Sequence, residues 1–251
     1  MSPRQIDQNT LLEREQVLLD AAMLLIQRQG VEGLTMDKLV KEVPFSKGTV
    51  YNHFSGKEDL MLGLCNRGMR ILRSLFTRAL TFDGSSRERI VVMHFAYLLY
   101  SRLYPMMFLL VISAKSPGVT EKASERQRGD HLQLEADISG GIIAAIEDGL
   151  ANGECVNPAG LKPEQIAFAN WSTAFGSISL LSKDIEQCGI RAQLQSEKAM
   201  LTNIHLILDG LQWHPMSTEH DFTSILERAK AELFSKEIVA LNAMGETLDL
   251  A

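Results

Sequence analysis

Apolar residues recur every three to four positions along most of the chain, and this period predicts helices. In the N-terminal part we predict a first helix at about 12–29 that ends at Gly30, short second and third helices at about 36–42 and 46–52, and a longer fourth helix at about 57–80. Strict alternation of apolar and polar residues is not sustained anywhere in the sequence. The predicted fold class is therefore all-α.

Hydroxyl side chains with helix-capping chemistry precede these helices. Thr35 and Ser46 stand just before the second and third helices, where a side-chain oxygen can accept a backbone N–H. Ser55 and Glu58 have the spacing of a capping box, which predicts the start of the fourth helix.

Two short helices joined by about three residues have the outline of a helix-turn-helix, whose second helix enters the major groove of DNA. Pro44 lies in the turn and restricts Val43 to an extended conformation. Five apolar side chains are expected to fill a small core: Leu39, Val43, Phe45, Val50 and Phe54. Five others are left for the outside, with groups that suit phosphates and base edges: Lys47, Thr49, Tyr51, Asn52 and His53.

Beyond residue 80 the chain continues as helical patterns broken by short Gly, Pro, Ser and Asn segments. The predicted helices are at about 87–103, 105–114, 119–151, 163–187, 190–213 and 218–244.

The net charge taken alone argues against nucleic-acid binding, but the distribution of charge along the chain does not. The formal net charge is −6, yet residues 1–80 hold 11 basic and 9 acidic residues, whereas the remainder holds 14 and 22. A slightly basic module on an acidic body is compatible with a DNA-binding N-terminus. Hydrophobic residues at 45% and charged residues at 22% indicate a globular chain.

The three cysteines, Cys65, Cys155 and Cys188, are widely spaced and indicate neither a disulfide framework nor a metal-ligand set. The N-terminus lacks an apolar signal core, and the longest apolar run, 106–112, is far shorter than the ~20 residues of a membrane span. We therefore expect a cytoplasmic protein that has no membrane partner, metal or cofactor.

The stretch from Arg14 to Leu60 resembles the DNA-binding domain of TetR-type (TetR/AcrR) transcriptional regulators. Two positions depart from the family pattern: Val40 replaces a small residue and Pro44 replaces a glycine in the turn. The resemblance rests on these elements in order: Ala21-Ala22, Gly30, Thr35, Leu39, the run Ser46-Lys47-Gly48-Thr49-Val50-Tyr51, His53-Phe54, and Lys57-Glu58-Asp59-Leu60.

The resemblance implies a DNA-binding domain at 10–70 and a ligand-binding and dimerisation domain at 71–251. The implied function is a homodimeric repressor that leaves a palindromic operator on binding a small molecule. Carried over position by position, the residues implied to face double-stranded DNA are Thr35, Ser46, Lys47, Gly48, Thr49, Tyr51, Asn52, His53 and Lys57.

Mixed polar and aromatic stripes in the C-terminal part are typical of a small-molecule cavity. The candidate ligand-binding residues are His94, Tyr97, Phe108, Trp171 and Phe175, with plain core packing as the alternative. For dimerisation two helical stripes are candidates, again with intrachain core as the alternative: Ala167, Asn170, Ala174 and Ser177, and Leu201, Ile204, Leu208 and Leu211.

Four arginines on the fourth helix allow four interpretations: contact with DNA phosphates, contact with anionic lipid, a solvated face, or pairing with the acidic body beyond residue 80. They are Arg67, Arg70, Arg73 and Arg78. His131 and Glu135, four residues apart, favour an exposed helical pair over a metal site.

Catalytic motifs are absent from the sequence: it contains no HExxH, GxSxG, Walker-type or GxGxxG pattern. We therefore predict a regulator rather than an enzyme. Two alternatives from other classes remain: an all-α enzyme or carrier that imitates a DNA-binding domain, and a helical scaffold that binds proteins only.

Overall fold

The computed structural model describes residues 7–182 and 189–248, and within them all the regular secondary structure is helical. One isolated β-bridge joins Cys155 and Trp213. The all-α prediction is confirmed. The helices are α1 (Gln8–Gly33), α2 (Met36–Glu42), α3 (Lys47–His53), α4 (Lys57–Leu80), α5 (Ser86–Leu103), α6 (Pro105–Ala114), α7 (Pro117–Thr120), α8 (Glu125–Ala151), α9 (Pro163–Leu180), α10 (Ser196–Gly210), α11 (Phe222–Glu232) and α12 (Ser235–Ala243).

Local signals place most of these boundaries. The regular part of α1 ends at Gly30, where φ is 72°, a left-handed conformation that glycine adopts without steric cost. The next three residues form one more turn. Ser85 caps α5 through a complete capping box with Glu88.

Several predicted boundaries in the C-terminal part were wrong. The helix predicted at about 119–151 is two helices, α7 and α8, and the one predicted at 218–244 is α11 and α12, divided at the fully buried Phe234. Helix α9 ends at Leu180 and α10 begins only at Ser196. The end of the predicted helix 163–187 and Cys188 lie outside the described residues.

The chain forms two compact units that alternate along the sequence. The first contains residues 7–69 and Met106–Leu134; the second contains Arg70–Pro105 and the described residues from Glu135 onward. One boundary between the units falls between Met69 and Arg70. Segment 106–134, predicted to belong to the C-terminal domain, packs with the N-terminal helices instead, because Leu110, Val119 and Ala123 are part of the same hydrophobic core as α1 to α4.

The core of the second unit surrounds α5, which is buried along almost its entire length. Its fully buried Arg87 forms an ion pair with Asp209 of α10 (Nη2–Oδ1 2.6 Å) and lies over the ring of Phe222 in α11. Burying a charge is costly unless it is paired, so this arginine fixes α5 against both helices.

Among the described residues no single helix is both long and apolar enough to cross a bilayer. Helices α5 and α6 satisfy the criterion only together, with a bend of 99° between them.

Candidate nucleic-acid interface

Both short helices of the helix-turn-helix begin at the predicted caps. Thr35 Oγ1 accepts a hydrogen bond from Lys38 N (3.3 Å), and Ser46 Oγ accepts one from Thr49 N (3.1 Å). Val43 has φ −122° and ψ 151°, the extended conformation that Pro44 imposes. Local sequence therefore sets the start of α3 and the path of the turn.

Helix α3 has one buried face and one exposed face. Val50 is fully buried, as is Phe54 directly after the helix, and both pack with Leu39 of α2. Val43 and Phe45 are only half-buried at the edge of this core. Because 3.6 residues make one turn, anchoring Val50 and Phe54 turns the polar residues between them outward.

Of the predicted DNA-facing residues, Thr35 precedes α2, Lys57 begins α4, and the others lie in α3 or directly before it. Six of them are exposed, namely Thr35, Ser46, Lys47, Gly48, Tyr51 and Asn52, and three are half-buried, namely Thr49, His53 and Lys57. Tyr51 is 39% exposed, so its ring is neither in the core nor wholly in solvent.

Lys47 has an intramolecular partner that sequence reasoning missed. Its Nζ donates to Asp37 Oδ1 in the first turn of α2 (2.9 Å) and lies 5.6 Å from the centre of the Tyr51 ring. This hydrogen bond raises the pKa of Lys47 and lowers the pKa of Asp37. A phosphate that binds Lys47 must compete with Asp37.

His53 ends α3 as a mostly neutral group. Partial burial lowers the pKa of His53 below its usual 6.5, an effect that nearby Arg126 and Arg14 reinforce and Glu15 opposes. At pH 7 His53 is therefore a neutral hydrogen-bonding group rather than a cation.

The start of α4 differs from the predicted capping box. Ser55 donates its N and Oγ to Asp59 Oδ2 (2.9 and 3.1 Å), not to Glu58, whose carboxylate faces Lys122 instead. Asp59 Oδ1 also accepts Ser124 N and Oγ just before α8 (2.9 and 2.7 Å). One buried carboxylate thus joins the N-terminal turns of α4 and α8, a link across 65 residues that no local pattern shows.

Three of the four arginines on α4 pair with acidic residues of the chain. Arg67 binds Asp20, Arg73 binds Asp137, and Arg78 binds Glu237. For Arg73 and Arg78 the structure agrees with pairing to the acidic body, whereas the partner of Arg67, Asp20, lies in the N-terminal part.

The second unit contains a small cavity that brings together three of the five predicted ligand-binding residues. His94, Tyr97 and Trp171 line it, whereas Phe108 is buried in the first unit and Phe175 lies one turn beyond Trp171. The cavity volume is about 30 Å³, enough for a water molecule but not for a drug-sized ligand. The other lining residues are Phe76, Ile90, Met93, Ile142, Ile146, Ala167, Asn170 and Trp213.

Polar groups in this cavity are neutral and paired. His94 Nε2 donates to Asn170 Oδ1 (3.2 Å), whose Nδ2 donates to Ile166 O, and Trp171 Nε1 donates to the Tyr97 hydroxyl (3.3 Å). Burial lowers the pKa of His94 to about 4 and raises the pKa of Tyr97. The lining is therefore apolar, with two neutral hydrogen-bonding pairs.

The stripes predicted for dimerisation lie mainly inside the chain. Asn170 and Ala174 of α9 and Ile204 and Leu208 of α10 are buried within the chain, in which α9 and α10 pack against each other. The alternative of an intrachain core is correct for these residues. The large apolar side chains that α9 and α10 leave exposed are others: Phe168, Trp171, Leu180 and Leu206.

Two buried polar side chains were not recognised from the sequence. His131, predicted to be exposed, is buried with its Nδ1 2.9 Å from Asn66 Oδ1, and Gln127 Oε1 accepts a hydrogen bond from Asn66 Nδ2 (2.8 Å). Their partner lies on α4, more than 60 residues away. For this reason their spacing along α8 gave no indication of burial.

Residues 18–64 match the family model described as bacterial regulatory proteins, tetR family. Among curated proteins, the chain is 29% identical over 107 residues to the nucleoid occlusion factor SlmA of Vibrio atlanticus, a match that covers 43% of this chain and 48% of SlmA. The chain spans about half the length of the curated relatives it matches.

Solved structures with this fold include TetR-family regulators. The transcriptional regulator PfmR of Thermus thermophilus superposes with a TM-score of 0.58 and 19% identity, covering 77% of this chain and 98% of PfmR. AibR, in complex with isovaleryl coenzyme A and operator DNA, gives a TM-score of 0.59 and 17% identity, covering 78% of this chain and 98% of AibR. At these identities the likeness concerns the fold.

Proposed function

We propose that the protein is a DNA-binding transcriptional repressor released from its operator by a small molecule, on the premise that residues 18–64 match the tetR family of bacterial regulatory proteins. The observation that carries the proposal is the exposed face of α3, from Lys47 to Asn52. The buried Val50 and Phe54 orient this face toward solvent, and the Ser46 cap begins the helix.

The residue types on and beside this face suit DNA. Lys47 supplies a cation for phosphate, Thr49 and Asn52 supply donors and acceptors for base edges, and the N–H groups at the start of α3 suit an anion. At seven residues, α3 is short enough to lie within one stretch of major groove.

A homodimer would present two copies of α3 to a palindrome. In helix-turn-helix dimers the two recognition helices enter successive major grooves about 34 Å apart. The exposed Phe168, Leu180 and Leu206 of α9 and α10 supply apolar area for such a contact. Phe168 and Leu206 are 63% and 66% exposed in the single chain, and pairing would remove this area from water.

The cavity around His94 is the proposed effector site. AibR has been solved with an acyl coenzyme A and operator DNA, which supports an effector for a chain of the same fold. Because the cavity measures only about 30 Å³, an effector would have to bind a more open conformation of the second unit. An effector that prefers the open conformation shifts the population toward it, and reversing a 99:1 equilibrium takes about 5.5 kcal/mol of preference.

The proposal is tested by selecting genomic fragments on the purified protein and measuring affinity for the enriched duplex at several salt concentrations. We expect a palindromic sequence and a steep linear fall of log affinity with log salt, because released counterions drive phosphate binding. A protein that binds no duplex at low salt would instead be a carrier or a scaffold. Release of the same duplex by an extracted cell metabolite, measured by fluorescence anisotropy, then tests the effector.

Removing the charge of Asp37 is expected to strengthen DNA binding. In Asp37→Asn, Lys47 loses its competing carboxylate and phosphates lose a nearby negative charge. We expect an affinity gain of about threefold to tenfold at low salt that shrinks as salt screens the charges. The measurement is a titration of labelled operator at two ionic strengths.

Asp20→Asn is the matched control for this variant. It removes the same charge from another exposed ion pair of the first unit, that with Arg67 on α4. If both variants gain equally, the effect is one of net charge alone, and the specific competition between Asp37 and phosphate for Lys47 is refuted.

A further inference from the structure

The first turns of α8 pack against the helix-turn-helix although they lie outside residues 18–64, which the family model covers. The buried Asp59 accepts hydrogen bonds from the half-buried Ser124, and two turns later the buried Asn66 contacts Gln127 and His131, which are also buried. Gly63 lies between these contacts: a Cβ there would come within 2.7 Å of the Phe54 ring and 3.3 Å of Gln127 Nε2. The start of α8 is thus fixed closely against α4 and the end of α3.

Arg126, in the first turn of α8, extends to α3 and α1. Its Nη2 donates to the backbone oxygen of His53 (3.1 Å), and its Nη1 binds Glu15 Oε2 (2.7 Å). His53 is the last residue of α3, and its carbonyl is among the four that a helix leaves without an intrahelical partner. One guanidinium therefore bonds the free end of α3 and links it to a mostly buried carboxylate of α1.

Such a contact matters because α3 is so short. Seven residues do not form a stable helix alone, so the direction of α3 depends on the buried Val50 and Phe54 and on what holds its two ends. Ser46 holds the first end. At the second end, the Arg126 cation beside the last carbonyls also interacts favourably with the negative pole of the helix dipole.

We propose that Arg126 is a positioning residue for DNA recognition, which sets the direction of α3 through His53 O and Glu15 without contacting DNA itself. The proposal rests on the proposed function. It assigns part of operator specificity to α8, outside the helix-turn-helix sequence.

Three variants test it: Arg126→Ala, Arg126→Lys and Glu15→Gln, each compared with Arg128→Ala. Arg128→Ala removes the same charge from the same helix, and the Arg128 side chain has no ion pair or hydrogen bond among the described residues. Lysine keeps the charge of Arg126 but offers one ammonium, which does not span both acceptors as the planar guanidinium does.

We expect Arg126→Ala and Arg126→Lys each to lower operator affinity about tenfold and to lower nonspecific affinity much less. The slope of log affinity against log salt should stay within error of the unmodified protein. Glu15→Gln should produce a smaller loss of the same kind, and Arg128→Ala none. Amide hydrogen exchange at 50–54 of the free protein should become faster in both Arg126 variants.

Two results would overturn the proposal. If Arg126→Ala lowers the salt slope by about 0.9 for each phosphate no longer neutralised while Arg126→Lys restores binding, Arg126 binds phosphate directly. If affinity, specificity and amide exchange all match the Arg128 control, Arg126 does not position α3. If the unmodified protein binds no duplex, the proposed function fails, while the exchange measurement still decides whether Arg126 holds α3.

Discussion

Tyr51→Ala is expected to weaken operator binding by on the order of 100-fold, the largest effect of any single substitution considered for this protein. Removing one side chain that touches DNA costs about 1–3 kcal/mol, and a dimer on a palindrome is affected in both half-sites. Tyr51 is 39% exposed on the outer face of α3, and its ring lies beside the Lys47 ammonium. Its removal therefore takes away a group that we propose faces DNA, together with a neighbour of the Lys47 ammonium.

The measurement is a gel shift or anisotropy titration at physiological salt, together with thermal unfolding. The melting temperature should hardly change, because the buried side of the helix is formed by Val50 and Phe54. Tyr51→Phe serves as the control that keeps the ring and loses only the hydroxyl, so it separates packing against Lys47 from a hydrogen bond to the backbone of DNA. Unchanged affinity of Tyr51→Ala would remove the assignment of α3 as the recognition helix.

Acid is expected to destabilise the protein through His94, by up to about 3 kcal/mol. Burial lowers the pKa of His94 to about 4, whereas in the unfolded chain it returns to about 6.5. Between these values the unfolded state binds a proton that the folded state does not, so the free energy of unfolding falls as the pH falls from about 6.5 to 4. Above pH 6.5 His94 contributes no pH dependence.

The change to measure is the slope of unfolding free energy against pH in urea titrations between pH 5 and 6. His94→Gln keeps a side-chain donor for Asn170 but does not titrate, so the slope should decrease by about 1.4 kcal/mol per pH unit. His205, whose pKa is also lowered to about 4, chiefly by burial and by Arg87, provides a second test. His205→Gln should reduce the slope similarly, and the double variant by the sum. A His94→Gln slope equal to that of the unmodified protein would contradict a neutral, buried His94.

The cavity that His94 lines is also the proposed effector site. A pocket whose polar groups are neutral at pH 7 favours an uncharged or mostly apolar ligand part over an ionised one, because burying an unpaired charge is costly. The two pairs, His94 with Asn170 and Tyr97 with Trp171, already satisfy each other. An effector would gain most where it replaces one of these hydrogen bonds with its own.

Much of the N-terminal domain could be predicted from the sequence. The caps Thr35 and Ser46, the extended Val43 before Pro44, and the buried Val50 and Phe54 all follow from interactions within a few residues. The predicted capping box between Ser55 and Glu58 was wrong. Both Glu58 and Asp59 lie within reach of Ser55, and the additional contact with Ser124 favours Asp59.

In the C-terminal part, the sequence predicted helices but not their ends or their faces. An apolar stripe on α9 indicates a buried face. It does not show whether that face packs against α10 of the same chain or against a second copy. Burial within the single chain settled that question for Asn170 and Ala174 and left Phe168 and Leu206 exposed. Likewise, Phe108 was a candidate ligand-binding residue because it is aromatic, but it is buried in the first unit and does not line the cavity.

By itself the sequence determined the all-α class, the helix-turn-helix and the residues that α3 exposes to solvent, because caps, turns and the helical period act over one or two turns of chain. Only the tertiary structure decided that Lys47 binds Asp37, that Asp59 joins α4 to α8, and that Arg126 holds the end of α3. The last two contacts join residues more than 60 positions apart. Their formation depends on how whole helices pack, and short-range sequence patterns carry no information about that packing.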